Sequence, residues 1–405
     1  MIIAKIAFRN IFRHKRRSVL TGLMMTGSCF LFAISLGMVD GSYDKLIDMF
    51  TRDKTGHVQI HKKGYLEKPS IYKTLEAADP IGMRVEPVTY VQSWAPRVYT
   101  PALAFVGEKT TGVQVMGIHP EREGKTTRLS YKIDRGRFLS DKPLKEIIIS
   151  DGLASILRVG LGGEVALIAQ GVDGSVANEL FTVVGITDAG ETAYASSTCY
   201  MHINTAQEFL SMGDRIHEIA VVLEDHAKTL TTVGYLRDTL RDPRLDVEPW
   251  QVVESQFYRA MQADIKGNWY SLIVFTIIVA IGVLNTVLMV ILERTREFGV
   301  LRALGTRPFQ IFQLIVIETA FLAVLSIIPG VLIGMLANWI LSVKGITLAT
   351  PLEWGGFYFD TITAKITLRS VVIPAVVIFG TAIVVSILPA VRAARIIPVK
   401  ALRAG

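Results

Sequence analysis

Four stretches of this chain are apolar on every side, leaving no polar face for solvent. They are 18–39, 267–292, 308–343 and 370–391, and Glu318 is the one charge inside them. Each reaches the ~20 residues that a helix needs to cross a hydrocarbon core of about 30 Å. The third is long enough to tilt or kink, with Pro329 as the place for a kink. Between the first two runs the pattern changes to short alternations. Those over 58–61, 113–118, 146–150, 164–169, 180–186, 199–203, 219–223 and 246–249 predict strands. Helical spacing predicts helices over 152–159, over 205–212 (N-cap Asn204 or Thr205) and over 229–240. The fold class is therefore a membrane protein with four transmembrane helices and a large α+β domain between the first two. That domain, 51–250, reads as two subdomains, with 51–112 pairing with 215–255 around an inserted lobe 113–214. Helical periodicity continues past the first span over 40–50 and resumes over 251–266. Two stalks thus leave one domain, and a push on either at the membrane moves the domain as a lever.

Charge sets the orientation. The segment 1–17 holds six Lys or Arg, the loop 293–307 four Arg against two Glu, and the tail 392–405 four basic residues with no acid. The whole chain is only +7, so the remainder is net acidic. The short basic segments belong inside and 51–250 outside. Half of the chain is hydrophobic, and its basic surplus reports topology; no base-reading module is visible, so nucleic acid is not an expected partner. Cys29 falls in the first span and Cys199 in the outer domain, so they are not expected to pair, and the domain stands on an apolar core. The first apolar run reads as an uncleaved signal anchor.

Within 1–17, Lys5, Arg9, Arg13 and Arg16 fall on one helical face, with Ile2, Ile3, Ile6, Phe8, Ile11 and Phe12 over much of the rest. This predicts a helix lying on the inner leaflet, each cation gaining roughly 1 kcal/mol from anionic lipid; a cluster that only sets topology is the alternative. The loop 293–307 has Phe298, Leu301 and Leu304 at helical spacing, then Gly305 and Pro308 as stop signals. It predicts a short amphipathic helix at the inner membrane face, one side offered to a soluble partner. Gly330 and Gly334 form a GxxxG pair, suited to close packing within one subunit or between two. Glu318 is a functional candidate by its place in a span, or a hydrogen-bonding anchor for the loop 293–307. In the outer loop 344–369, Trp354, Phe357, Tyr358 and Phe359 suit an interfacial belt.

Catalytic chemistry is not visible. Gly124-Lys125-Thr126 lacks the glycine five residues earlier, where His119 stands, so it is no phosphate loop. His57 and His61 share one strand face without a third ligand, and a solvated face is expected rather than a metal site. His217-Glu218 lacks the second histidine of a zinc-protease helix, and Asp151 has no partnered nucleophile.

Three motifs carry a family likeness: AFRNIFRHKRRSVLTG (7–22), ILERTREFGVLRALGTRPFQI (291–311) and LPAVRAARIIPVKALR (388–403). Together they resemble the MacB/FtsX/LolC superfamily of mechanotransmission-type ABC transporter permeases. The segments HVQI (57–60), GIHP (117–120), ISDGLASILRVGLGGEV (149–165) and MHINTAQEFL (201–210) are similar to the lipoprotein-releasing LolC and LolE permeases. The resemblance implies a MacB-like periplasmic domain in 51–250 and a bacterial inner-membrane location. The expected division is 1–17 interfacial helix, 18–50 span and stalk, 251–292 stalk and span, 293–307 coupling loop, 308–343 and 370–391 spans joined by 344–369, and 392–405 tail. It implies a non-catalytic subunit that binds no cofactor itself, ATP and Mg²⁺ residing in a dimeric cytoplasmic ATPase. In that ATPase's groove would sit the helix 296–305, with Arg296, Glu297 and Arg302 as polar contacts, Phe298 and Leu301 as apolar anchors, and Gly299 and Gly305 for close approach and termination. Further partners are a second permease copy or paralogue, membrane lipids and lipid-anchored cargo, held between spans by Met24, Met25, Phe30, Phe32, Phe275 and Leu284. LolC-type subunits carry a proline-containing hairpin for a periplasmic carrier; the corresponding turn, 170–179, is short and lacks proline. A LolE-like partner, a homodimeric relative, a MacB-like efflux permease with an adaptor and an FtsX-like regulator of a periplasmic enzyme are the alternatives.

Overall fold

The structure is a computed structural model describing residues 2–13, 15–76, 78–188, 197–354 and 357–397. In chain order, α1 (Ile2–Arg13) is followed by α2 (Lys15–Phe50), which ends in a π-helical turn, Thr51–Thr55. Next come β1 (Val58–Lys62), α3 (Asp79–Val85), β2 (Val91–Val106), β3 (Lys109–Ile118) and α4 (Pro120–Thr126). Then follow β4 (Ile133–Gly136), β5 (Glu146–Ser150), α5 (Asp151–Leu157), β6 (Glu164–Gln170), β7 (Val176–Thr187) and β8 (Thr198–His202). The outer block finishes with α6 (Ile203–Phe209), β9 (Glu218–Leu223), α7 (Thr229–Leu240), β10 (Leu245–Pro249) and α8 (Trp250–Val253). The remainder is α9 (Ser255–Glu293), α10 (Thr295–Ala303), α11 (Pro308–Lys344), the hairpin β11 (Ile346–Trp354) and β12 (Phe357–Ile362), and α12 (Leu368–Ala394). The chain divides into two compact units: Met1–Asp44 with Met261–Leu348 and Thr361–Gly405, and Lys45–Ala260 with Ala349–Asp360.

The first unit holds four helices long and apolar enough to cross a membrane. Helices α2, α9 and α11 have 36, 39 and 37 residues, hence about 55 Å each at ~1.5 Å per residue, nearly twice a hydrocarbon core. Small residues set how α2 and α11 meet. A Cβ on Gly330 would stand 2.9 Å from the Thr26 carbonyl oxygen, and one on Gly334 2.8 Å from the Ala33 Cβ. Thr26 donates to the Ser326 carbonyl at 2.8 Å, and Asn338 donates to the Ala33 carbonyl at 3.0 Å. The GxxxG pair is thus used within the chain, where helix backbones approach closely enough for such bonds. Gly330→Val should lower the melting temperature of the purified protein well below that of Gly380→Val, because overpacking costs about 1–3 kcal/mol and a Cβ at Gly380 meets nothing within 4 Å. Equal melting temperatures would contradict the seam.

The second unit is built on one ten-stranded sheet. Where the sequence pattern divides 51–250 in two, hydrogen bonding joins the halves through β2. Its first part pairs with β9 and its second with β3 and β6. Strand β9 continues to β1 and then β10. On the other side the strands run β2, β3, β8, β5, β7, β6 and return to β2, closing a six-stranded ring. One apolar core lines both parts, with Ile60, Trp94, Val115, Ile147, Phe181, Ile219 and Leu236 in the same cluster. The 16-residue β2 is missing from the sequence reading, as are β4, the β11–β12 hairpin and helices α3 and α4. Helix α6 starts earlier than expected: its N-cap is His202, whose Nδ1 accepts from the Asn204 N–H at 3.2 Å. Gly124-Lys125-Thr126 lies in α4 and forms no loop. The turn expected over 170–179 is shorter still, Gly171–Ser175, between β6 and β7.

His57 and His61 overturn an expectation. The face they share is buried, at 2% and 1% exposure, because the π-helical turn lies over His57, with Thr51 Oγ1 at 3.3 Å from its Nε2, and Tyr65 covers His61. His57 Nδ1 accepts from the Leu223 N–H at 3.0 Å, and His61 stacks on Tyr65. The side chains of Ile2, Ile3, Phe12, Trp354, Phe357, Tyr358 and Phe359, and the basic residues Lys400 and Arg403, lie outside the described residues.

Candidate functional site

The loop between α9 and α11 folds as expected into a helix, α10. Gly305 has φ +92°, a left-handed conformation that terminates it and that only glycine takes without strain. What the sequence could not give is which side of α10 faces inward. Phe298 is fully buried in a cluster with Ile291, Ile311, Leu314, Ile315, Ala390 and Ala393, and Leu301 packs against the same cluster. Gly299 is buried as well. Phe298 is therefore not an anchor offered to a partner; it fixes α10 to its own bundle. The exposed side carries Arg296, Val300, Ala303 and Leu304, continued by Arg307 and Phe309. Val300 is 42% exposed, Leu304 79% and Phe309 63%. Arg296, Val300, Ala303 and Arg307 recur at intervals of four, three and four, one side of a helix. Arg302 is half-buried and donates to the Thr306 carbonyl at 3.1 Å, closing the turn rather than reaching outward.

Beneath this face lies a chain of charges. Arg294 is buried and donates to Glu297 at 2.9 Å and to Glu318 at 3.2 Å. Its guanidinium also stands 5.1 Å from the Phe298 ring. Glu318 accepts from Asn10 at 3.3 Å, and Glu297 pairs with Arg13 at 3.5 Å. Helices α1, α10 and α11 are thereby joined at one point. Glu318 is thus hydrogen-bonded to the loop 293–307 through Arg294. The acid also lies less deep than its position in an apolar run suggests. It lines a small cavity of about 50 Å³ with Ser18, Thr21, Thr286 and Thr319, so it is level with the start of α2. The first turns of α11 are sheathed by α1, α10 and the end of α12. Arg294, Asn10 and Arg13 were not singled out for this role, although a carboxylate in an apolar helix needs a cation partner, and Arg294 is among the nearest along the chain.

Residues 270–398 match the family model for the FtsX-like permease C-terminal region. The lipoprotein-releasing system transmembrane protein LolC of Neisseria meningitidis serogroup B is 24% identical over 322 residues, covering 76% of this chain and 77% of that protein. The chain is thus similar to permeases of the MacB/FtsX/LolC superfamily. The macrolide export ATP-binding/permease protein MacB of Neisseria gonorrhoeae is also 24% identical, over 98% of this chain but 60% of MacB's own length. Among solved structures, the periplasmic region of MacB from Actinobacillus actinomycetemcomitans covers 53% of the chain at 16% identity, with a TM-score of 0.37. With four helices long and apolar enough to cross a membrane, the chain is a multi-pass membrane protein that carries an α+β domain between the first two.

The residues expected to line a cargo cavity divide by burial. Met25 is enclosed in the bundle core, where it lines the small cavity beside Glu318, and Phe32 packs with Leu36 and Leu272; neither side chain is exposed. Met24 and Phe275 are 41% and 44% exposed, while Phe30 and Leu284 are half-buried. The Met24 methyl group lies over Gly282 of α9, 2.4 Å from where a Cβ would stand.

At the outer ends of α2 and α9, still inside the second unit, aromatic rings join the two helices. Phe50 stands 5.2 Å from Trp250 and 4.5 Å from Phe257, edge to face, and Lys54 pairs with Glu254 at 3.5 Å. Next to this joint lies a fully buried arginine. Arg97 donates to Glu123 at 2.7 and 3.1 Å, to Glu218 at 3.0 Å and to the Lys54 carbonyl of the π-helical turn. One guanidinium thereby binds β2, α4, β9 and the end of the first stalk. Among the described residues no group of three or more metal-ligating side chains is close enough to hold an ion.

Proposed function

We propose that this chain is the inner-membrane permease subunit of an ATP-driven transporter that lifts lipid-anchored cargo out of the membrane. The observation that supports the motor connection is the outward face of α10. It carries Arg296, Val300 and Leu304 to the cell interior, continued by Phe309 of α11, while Phe298 and Arg294 fix its inner face. An apolar patch ringed by cations on a firmly held helix suits a soluble partner with an acid-rimmed groove. In this reading two permease copies, or this chain and a paralogue, share a dimeric ATPase that holds the ATP and Mg²⁺. Closure of the ATPase tilts α10, the Arg294–Glu318 joint passes the tilt to α11, and α2 and α9 carry it outward. Val300→Asp with Leu304→Asp should abolish co-purification of the ATPase while the melting temperature stays that of the parent. Retained ATPase would refute the assignment.

The cargo reading is supported by the LolC match, which spans 77% of that protein. Depleting the chain should leave acyl-anchored proteins in the inner-membrane fraction. A second reading, efflux with a periplasmic adaptor, is favoured by the MacB alignment over 98% of the chain. It would show as a co-purified adaptor and unchanged sorting of acyl-anchored proteins. The short turn Gly171–Ser175, without proline, argues against direct recruitment of a carrier by this subunit.

A further inference from the structure

Helix α1 presents two opposite faces. Ala7, Asn10 and Ile11 are buried against the bundle, with Asn10 on Glu318 and the Phe8 ring edge-on to Phe321. Lys5, Arg9 and Arg13 are exposed one helical turn apart on the other side, and Arg16 is exposed at the start of α2. Arg13 alone of these four cations has an ion-pair partner among the described residues, Glu297 of α10. Ile6 and Phe8, 46% and 43% exposed, flank the basic row. A basic row bordered by exposed apolar side chains matches the boundary between headgroups and acyl chains. Its depth is set as well, because Asn10 is tied to the carboxylate that stands level with the start of α2.

We propose that α1 is a sensor of anionic phospholipid. A headgroup phosphate on Lys5, Arg9 and Arg13 draws Arg13 away from Glu297, and the anionic content of the inner leaflet thereby sets how firmly α1 holds α10. The competition favours lipid. The Arg13–Glu297 pair is 67% and 40% exposed, and pairs of that kind shift an equilibrium by about fivefold at most. Each cation near an anionic leaflet gains roughly fivefold, and three act together. Glu297 keeps Arg294 at 2.9 Å, so lipid loosens the outer tie and leaves the buried joint in place. The regulatory consequence rests on α10 being the ATPase seat; the lipid site itself does not.

The test uses the full chain in nanodiscs of phosphatidylcholine, with or without phosphatidylglycerol. Native mass spectrometry should find phosphatidylglycerol retained over phosphatidylcholine, and Lys5→Gln with Arg9→Gln should reduce that retention by roughly tenfold. Amide hydrogen exchange over 295–303 should be several-fold faster with phosphatidylglycerol in the parent and unchanged in the variant. Equal retention of the two lipids, or α10 exchange that ignores phosphatidylglycerol, would overturn the proposal. Both readouts need no ATPase, so they hold or fail independently of whether one docks.

Discussion

Arg294→Met is expected to uncouple ATP hydrolysis from cargo movement and to cost about 3 kcal/mol of stability. Arg294 is buried and shared by two carboxylates, and removing one partner of a buried pair leaves charge that its surroundings poorly solvate. Glu318, with 19% of its side chain exposed, loses its Arg294 bond, and Phe298 loses the cation beside its ring. The restraint on α10 then rests on apolar packing and on the exposed Arg13–Glu297 pair. ATPase association should survive, because the outer face is untouched, while transport falls by more than tenfold. Glu318→Gln keeps a hydrogen-bond acceptor for Arg294 and should retain most of the transport. A variant that transports normally at a lowered melting temperature would show the joint to be structural only.

The second large effect is expected in the outer unit. Arg97→Met leaves Glu123 and Glu218 buried, at 1% and 4% exposure, without the guanidinium they share. Breaking such a pair costs about 3–5 kcal/mol, a fall in melting temperature of roughly 6–20 °C for a unit of this size. The pH dependence should change sign. In the parent, burial alone would raise Glu218, but the His61 ring 3.7 Å away and the Arg97 guanidinium outweigh it and hold it below its ordinary 4.5. Its contribution is complete above that value and is lost as pH falls through the lowered one. In the variant burial dominates, so acidification towards pH 4.5 should restore part of the stability. Two histidines work against recovery. Burial lowers His57 and His217 from 6.5 to about 4. The unfolded chain therefore takes protons that the fold refuses between those values, and stability falls over that range in both proteins. The informative quantity is the difference between variant and parent melting curves, which should narrow as pH drops. A difference that widens would contradict the clamp.

The architecture was legible because a membrane span must be apolar all round, a condition few other segments meet. Helix α10 was legible from its glycine and charge pattern. Its orientation was not. Phe298, Leu301 and Leu304 recur at a spacing that identifies a helix but cannot say whether its own bundle or a partner covers them. The structure puts the first two inside and leaves Leu304 out. Strand β2 was hidden by Pro96 and Pro101, which normally mark an edge or a bulge. They are tolerated here in a strand that carries Arg97 and joins the two halves of the sheet. The surroundings of His57 and His61 include Leu223 and Glu218 of β9, far along the chain, a juxtaposition that no local pattern encodes. Among the cargo candidates, Met24 and Met25 show the same limit. Adjacent on α2, one is exposed and the other enclosed, because only the seam with α11 decides which way the helix turns.

The most direct test of the account places a photo-crosslinking amino acid at Leu304 or at Phe298 in otherwise unchanged permease, in intact membranes. Position 304 should yield a covalent adduct with the cytoplasmic ATPase, and position 298 adducts only within the chain. ATPase captured from 298 and none from 304 would contradict the assignment of the two faces of α10.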